Sequence, residues 1–295
     1  MKKRFQIRLN DKAFDMIIGL IVLLCVLLCL YPLYLVVINS ISNPIAVGGG
    51  KVTLFPVGLS WEAYEMVFED KSIVSGYLYS LYYTVVGTLL NMMLTIPAAY
   101  ALSKPQLAAR NAFMMFILFT MYFSGGLIPA FLLMKKLKLL NTAGAIFLSG
   151  AINSSNLIVA RSFFTAVPHE LEEAAEIDGA SIPQTFIQVV LPLSKALLGV
   201  IVLYYAVARW NNYTSALYYL PMAQEKYPLQ MVIRKLIILM RSVGQMDSEM
   251  AEHYAMVYNQ IKYAVVVVAS LPLMIIYPFL QKYFEKGVML GSLKG

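Results

Sequence analysis

Long apolar runs alternate with short polar segments along the whole chain. Because a helix needs about 20 consecutive apolar residues to cross a bilayer, each run of that length predicts one membrane-spanning helix. Six runs qualify, at residues 14–38, 78–102, 112–134, 142–164, 186–209 and 263–284. The pattern therefore predicts an all-α, polytopic membrane protein with six transmembrane helices.

The first run follows basic residues, as the apolar part of a signal peptide does. It is too long for that part, it contains Tyr31-Pro32, and no small-residue cleavage site follows it. We therefore expect it to be retained as a transmembrane helix. The predicted organisation is a tail at 1–13, the first helix at 14–38, a loop at 39–77, a core of five helices at 78–284, and a tail at 285–295.

Composition supports the membrane assignment. Of the 295 residues, 60% are hydrophobic and only 13% are charged, whereas soluble domains carry about 25% charged residues. This excludes a secreted disulfide scaffold, a soluble enzyme and a disordered regulator. The net charge of +7 favours membrane lipid rather than nucleic acid as its partner. Cys25 and Cys29 fall inside the first run, which predicts free thiols.

Basic residues set the orientation, because they concentrate in cytoplasmic loops. The tail at 1–13 has five basic residues against one acidic residue. With six spans, both termini are then cytoplasmic, and the long connections at 39–77 and 210–262 lie outside. Lys135, Lys136 and Lys138 would also lie outside, against the rule, but the N-terminal cluster is larger.

Segment 167–192, between spans four and five, has the most specific pattern. Pro168 and Pro183 each suit the first turn of a helix, and the acids after Pro168 favour a helix N-terminus. Gly179 can end the first of these helices in a left-handed cap. The segment therefore predicts two short cytoplasmic helices joined by a tight bend. An ordinary amphipathic loop with solvated acids is the alternative interpretation.

The order of residues in this segment resembles the EAA loop of ATP-binding-cassette (ABC) importer permeases. Glu173-Ala174-Ala175, Gly179 and Leu191-Pro192 stand at the positions of the family signature. Three further positions match carbohydrate-type members: Asp178, Ala180 and Phe186. A proline that is common a few residues after Leu-Pro is absent where Lys195-Ala196 stand, which predicts a straighter start of span five.

Two other segments are similar to sugar importer permeases. The C-terminal residues 281–295 contain the Lys-Gly, Gly, Lys-Gly pattern of their tails, and Trp210-Asn211-Asn212-Tyr213 resembles their Trp-Asn-x-Phe/Tyr element. Within the class, the chain looks most similar to oligosaccharide permeases of the lipoprotein-associated kind in Gram-positive bacteria.

The resemblance implies a type I ABC importer permease fold in the bacterial plasma membrane and transport of a carbohydrate, with an oligosaccharide as the expected substrate. It implies no enzymatic activity and no cofactor in this chain, because ATP and magnesium would bind to a separate ATPase. The implied partners are a second homologous permease, two ATPase subunits and a solute-binding protein, either lipid-anchored outside or periplasmic.

The resemblance also implies which residues couple to the ATPase. Glu173 would be a polar contact with the ATPase and Gly179 the bend that sets the docking angle. The full set of implied coupling residues is Glu170, Glu173, Ala174, Ala175, Asp178 and Gly179. Closure of the ATPase dimer would pull on this helix and tilt spans three to six toward the outward-facing state.

A substrate path is predicted at the outer end of span five. Sugar sites stack aromatic rings on the substrate and bind hydroxyls with polar groups. Arg209 lies four residues beyond Tyr205 on one helix face, and Asn212 continues that line. We expect this stripe, with Trp210 beside it, to line the path, and Tyr204 to pack against a neighbouring helix or lipid. An aromatic belt and a snorkelling arginine are the alternatives.

Other functions stay open at this stage. The same machine could serve a non-sugar solute such as a peptide. A self-contained channel or secondary transporter would need charged coupling residues deep within its spans, whereas Lys195 and Arg209 lie near the ends of theirs. A membrane enzyme is disfavoured because no acid pair, Ser-His arrangement or metal cluster falls on one side of the membrane.

Overall fold

The computed structural model describes residues 11–243 and 260–278, and most of them are helical. Within these ranges no strand forms beyond one isolated bridge between Ser42 and Leu59, so the all-α prediction is confirmed. The helices are α1 Asp11–Ser40, α2 Pro44–Gly48, α3 Glu62–Glu69, α4 Lys71–Ser103, α5 Arg110–Tyr122, α6 Leu127–Lys136, α7 Ala143–Leu148, α8 Ser154–Thr165, α9 Glu170–Ile177, α10 Ile182–Thr185, α11 Leu191–Leu193, α12 Lys195–Trp210, α13 Thr214–Tyr219, α14 Leu229–Val243 and α15 Gln260–Pro278.

The chain divides into two compact units. Among the described residues, the first unit is 11–69, 237–243 and 260–268, and the second is 70–236 and 269–278. In the first unit α1 is apolar and exposed along most of its length, including the free thiols of Cys25 and Cys29.

The first unit is held together near the end of α1. Ile38 packs with Ala46, Val47 and Val52 in a small apolar cluster. The buried amide of Gln260 donates hydrogen bonds to the carbonyl oxygens of Ser40 and Ser60, at 3.1 and 3.2 Å. These bonds tie the start of α15 to the last residue of α1 and to the segment that follows it.

The second unit is built around α4, which packs mainly against α8 and α12. Asp70 caps the start of α4 by accepting a hydrogen bond from the backbone N–H of Ser72 at 2.7 Å. Apolar side chains of the three helices, together with residues of α5 and the segment before α11, form the core. Its buried members are Ile96, Ala99, Tyr100, Leu102, Met114, Leu157, Ala160, Phe164, Val190, Leu197, Ile201 and Tyr205.

Three helical segments in the described ranges are long and apolar enough to cross a membrane: Phe14–Ser40, Lys71–Ser103 and Gln260–Pro278. Two bent helix pairs raise the number to as many as five if each pair is one span. The predicted count of six spans therefore stays a prediction. Residues 1–10 of the predicted tail at 1–13, the predicted tail at 285–295 and the end of predicted span six after Pro278 lie outside the described residues. Residues 11–13 of the predicted tail belong to α1.

Predicted spans three and four are not continuous helices. α5 and α6 meet at an angle of 114°, because the chain turns through Gly125 and Gly126, the latter at a φ of +86°. α7 and α8 are separated by a break at residues 149–153, in which Gly150 has a φ of +77°. The side chain of Asn153 then caps α8 by accepting from the N–H of Asn156 at 3.0 Å.

Predicted span five is also bent, which corrects the expectation of a straighter start. Segment Ile182–Leu193 meets α12 at 83°. Phe186–Val190 is wound as a π-helix, and Ser194 bonds back to Val190 through both its N–H and its hydroxyl. The missing proline therefore does not straighten the helix, because the wide π turn and Ser194 already redirect it.

Candidate functional site

The helix pair α9–α10 forms as the sequence predicts. Gly179 has a φ of +85° and ends α9 in the left-handed conformation that favours glycine. The N–H of Ala180 bonds to the carbonyl of Ala175 at 2.9 Å, which closes the cap. At the start of α10, the N–H of Ser181 donates to the side chain of Gln184 at 2.8 Å. The tight bend between two short helices is confirmed.

The predicted coupling residues lie on the outside of α9 and its cap. Ala175 is half-buried and the other five are exposed: Glu170, Glu173, Ala174, Asp178 and Gly179. Large apolar side chains are exposed beside them, at Leu171, Ile177 and Ile182. A surface that combines exposed aliphatic side chains with acids is typical of a protein-binding site.

Glu172 lies on the opposite side of α9 and was not among the predicted coupling residues. Only 5% of it is exposed, and its carboxylate forms an ion pair with the ammonium of Lys104 at the end of α4. The Tyr100 hydroxyl donates to the same carboxylate oxygen at 3.4 Å. The sequence gives no signal that distinguishes Glu172 from the acids beside it, because only the packing of α9 decides which acid is buried.

Tyr100 joins the helix pair to the core of the second unit. Its ring stacks on Phe186 with centroids 4.6 Å apart and meets Phe164 edge-on at 5.8 Å. The ammonium of Lys104 lies 4.3 Å from the centroid of the same ring, within the range of a cation–π interaction. The end of α4 therefore contacts both α9 and the π-helical segment.

Arg209 lies inside the second unit, where the sequence predicts a substrate path. Only 7% of Arg209 is exposed, and each of its five side-chain N–H groups has an acceptor. Nε donates to Oδ1 of Asn91 at 3.0 Å. The Nη atoms donate to backbone carbonyls at the end of α7 and in the break after it, at Ile146, Phe147, Ser149 and Gly150. Because its head group points inward, Arg209 does not snorkel.

Tyr205 is buried against the same break. Its hydroxyl lies 2.6 Å from that of Thr95 and accepts from the N–H of Asn153 at 3.0 Å. We call Asn91, Thr95, Tyr205 and Arg209 the Arg209 network. Its side chains come from α4 and α12, and they satisfy the backbone groups that the break between α7 and α8 leaves without helical partners.

The rest of the predicted stripe is also engaged within the chain. The indole N–H of Trp210 donates to the carbonyl of Ala269 at 3.1 Å. Oδ1 of Asn212 accepts from the N–H of Ser215 at 3.0 Å, near the start of α13. The contact with substrate therefore stays a prediction, while the structure gives these side chains a packing function.

The face of α12 that this chain leaves exposed carries Tyr204, Ala208 and Asn211. These residues follow one another at helical spacing.

Among the residues that the structure describes, no group of three or more His, Cys, Asp or Glu side chains converges as metal ligands would.

Comparison with known proteins identifies the family. Residues 72–290 match the family described as "Binding-protein-dependent transport system inner membrane component". The chain belongs to this family. The matched region begins with α4 and includes the helix pair α9–α10 and the Arg209 network.

This permease is similar to two proteins of Bacillus subtilis (strain 168). It is 39% identical to the polygalacturonan/rhamnogalacturonan transport system permease protein YtcP, over 97% of this chain and the whole of the relative. It is 38% identical to the protein LplC, over 90% of this chain and 89% of the relative. Among solved structures, a bacterial ABC transporter involved in the import of the acidic polysaccharide alginate matches with a TM-score of 0.84 and 35% identity. That match covers 96% of this chain and all of the other.

Family membership defines the general activity. This permease is the membrane component of a binding-protein-dependent importer, and it is a transport subunit rather than an enzyme. The family assignment made from the EAA loop is confirmed.

Proposed function

We propose that this permease forms half of the membrane passage of an ATP-driven importer for an oligosaccharide that contains acidic sugars. The similarity to YtcP supports this substrate class, because that relative is named for the transport of polygalacturonan and rhamnogalacturonan. The solved alginate transporter also imports an acidic polysaccharide. An arabinooligosaccharide permease is a more distant relative at 27% identity, so carbohydrate is the class that these relatives share.

The partners follow from the same proposal. A second homologous permease completes the passage, and two ATPase subunits bind ATP and magnesium on the cytoplasmic side. A solute-binding protein, lipid-anchored outside the cell or periplasmic, delivers the sugar. Both termini of this permease are then cytoplasmic, in the plasma membrane of a bacterium.

The exposed surface of the helix pair α9–α10 is the proposed docking site for the ATPase. Ile177 and Ile182 would be buried in a groove of the ATPase, since burial of such side chains stabilises a complex by roughly 1.5–3 kcal/mol each. Glu170, Glu173 and Asp178 add charges at its edge. The left-handed conformation at Gly179 sets the angle between the two helices, and the small side chains of Ala174 and Ala175 permit close approach.

The substrate path along α12 remains a proposal with two candidate faces. The predicted face, Tyr205, Arg209, Trp210 and Asn212, would contact sugar only if its present partners were exchanged. The second candidate face begins at Tyr204, which is 44% exposed. Its aromatic ring has the chemistry that sugar binding uses.

The docking proposal is tested by co-purification of the ATPase with a tagged permease. Ile177 is 86% exposed, and Ile177→Asp places a charge where we propose a buried contact. We expect at least a tenfold loss of co-purified ATPase at unchanged permease yield. Met222→Asp is the matched control, because Met222 is equally exposed at 86% but lies in the predicted external connection. Equal amounts of ATPase with both variants would contradict the proposed docking site.

A further inference from the structure

Glu172 and Glu173 are neighbours in the sequence but differ in their surroundings. The side chain of Glu173 is 63% exposed and belongs to the proposed docking surface. The side chain of Glu172 is 7% exposed and turns the other way, as adjacent helical positions do. One short helix therefore presents one acid to a partner and a second acid to the protein interior.

The ion pair of Glu172 reaches the end of the longest helix of the second unit. Lys104 is the C-cap residue that directly follows α4, and 21% of its side chain is exposed. The Tyr100 hydroxyl and the Tyr100 ring contact the two charged groups of this pair. α4 in turn carries Asn91 and Thr95 of the Arg209 network, thirteen and nine residues before Lys104.

A buried ion pair is not an efficient way to add stability, because the desolvation of both charges offsets much of their attraction. Apolar side chains could fasten α9 to α4 equally well. What an ion pair adds is a directional link that resists sliding of one helix over the other.

We propose that Glu172 is a positioning residue for transport, linked to α4 through Lys104. The pair transmits the displacement of α9, imposed by the closing ATPase, to α4 and so to the membrane helices. This inference rests on the proposed docking of the ATPase. It differs from that proposal because the ion pair is needed for transmission and not for binding of the ATPase.

The test measures coupling in purified complexes that contain the permease, its partner permease, the ATPase and the binding protein. The number of ATP molecules hydrolysed per molecule of trigalacturonic acid imported into proteoliposomes is compared between variants. Lys104→Met removes the charge at the partly exposed member of the pair, where misfolding is least expected. We expect ATPase binding within twofold of wild type and a ratio of hydrolysis to uptake at least tenfold higher.

Two conservative variants separate positioning from a merely structural role. Lys104→Arg keeps the charge and should keep the ratio within threefold of wild type. Glu172→Gln keeps a hydrogen-bond acceptor for Tyr100 but loses the charge, so it should resemble Lys104→Met. Glu225→Gln is the control, because Glu225 and Lys226 form an exposed ion pair at 4.0 Å away from the helix pair.

The outcomes distinguish the two proposals. A wild-type ratio in Lys104→Met and Glu172→Gln would overturn the inference while leaving ATPase docking intact. A parallel loss of hydrolysis, uptake and ATPase binding in all variants of the pair, including Lys104→Arg, would also overturn it, since the pair would then only stabilise the fold. A wild-type permease that binds no ATPase would overturn the proposed function and this inference together.

Discussion

Asn91 and Arg209 bind the same backbone carbonyl, that of Gly150. Nδ2 of Asn91 donates to it at 2.7 Å and Nη2 of Arg209 at 3.0 Å, while the two side chains are joined by a third hydrogen bond of 3.0 Å. Asn91 is on α4 and Arg209 on α12. Together they hold the chain at the point where α7 ends, where a cation is favoured by the partial negative charge of the helix C-terminus.

Arg209→Gln should destabilise the permease rather than alter its affinity for substrate. Glutamine cannot replace five donors, and a buried acceptor left without a partner costs about 1–3 kcal/mol. We expect a lower midpoint of thermal unfolding in the purified complex and less assembled complex. Arg209→Lys should be nearly as harmful, because an ammonium group lacks the planar geometry of the guanidinium.

Gly87 offers an independent way to disturb the same side chain. A Cβ at this position would lie 3.1 Å from Nε and 3.2 Å from Cδ of Arg209, so Gly87→Ala should also lower the unfolding midpoint. Gly19→Ala is a control, since a Cβ there meets nothing within 4 Å. Wild-type unfolding midpoints in both Arg209→Gln and Gly87→Ala would refute a structural role for the network.

Comparison of Tyr205→Phe with Tyr204→Phe tests which of the two candidate faces of α12 contacts the substrate. Removal of the Tyr205 hydroxyl leaves the N–H of Asn153 without its acceptor, at a cost of about 1–3 kcal/mol. We expect Tyr205→Phe to lower stability at unchanged KM for uptake, and Tyr204→Phe to raise the KM for uptake. Tyr204 is 44% exposed. A raised KM with unchanged stability in Tyr205→Phe would instead support the stripe predicted from the sequence.

The stripe illustrates what helical spacing can and cannot predict. Spacing correctly places Tyr205 and Arg209 on one face, since both contact the same break between α7 and α8. It does not tell which face of α12 meets the rest of the protein. Four of the five acceptors of Arg209 are backbone carbonyls distant in sequence, and no residue type marks them.

The helix pair α9–α10 was predictable because its signals are local. A glycine with positive φ and prolines near helix starts act within a few residues. The breaks within spans three and four also have local signals, Gly125-Gly126 and Gly150, which a count of apolar residues overlooks. The burial of Glu172 has no such signal, because it depends on the packing of α9 against α4.

Gly179→Ala should weaken docking of the ATPase through the backbone. A Cβ at Gly179 meets nothing within 4 Å, so the cost is the left-handed conformation itself, about 1–2 kcal/mol for alanine. Gly179→Asn should be milder, because asparagine adopts this conformation more readily. The amount of ATPase that co-purifies should follow the order glycine, asparagine, alanine. Gly125→Ala, at another exposed glycine, is the control, and no difference between the Asn and Ala variants would contradict the cap.

Cysteine labelling tests the orientation. After replacement of Cys25 and Cys29 by alanine, single cysteines are placed at Leu59 and Asp178, which are both exposed. We expect a membrane-impermeant thiol reagent to label position 59 in intact cells and position 178 only after permeabilisation. Labelling of position 178 in intact cells would contradict a cytoplasmic helix pair.

The central claim is that this permease imports an acidic oligosaccharide with energy from a separate ATPase. Its most direct test is uptake of labelled trigalacturonic acid by proteoliposomes that contain both permeases and the ATPase, with binding protein on the opposite face. The account predicts that uptake requires both ATP and binding protein, and that it exceeds the rate without ATP at least tenfold. Uptake driven by an ion gradient without the ATPase, or ATP-driven uptake of a tripeptide in place of the sugar, would contradict it.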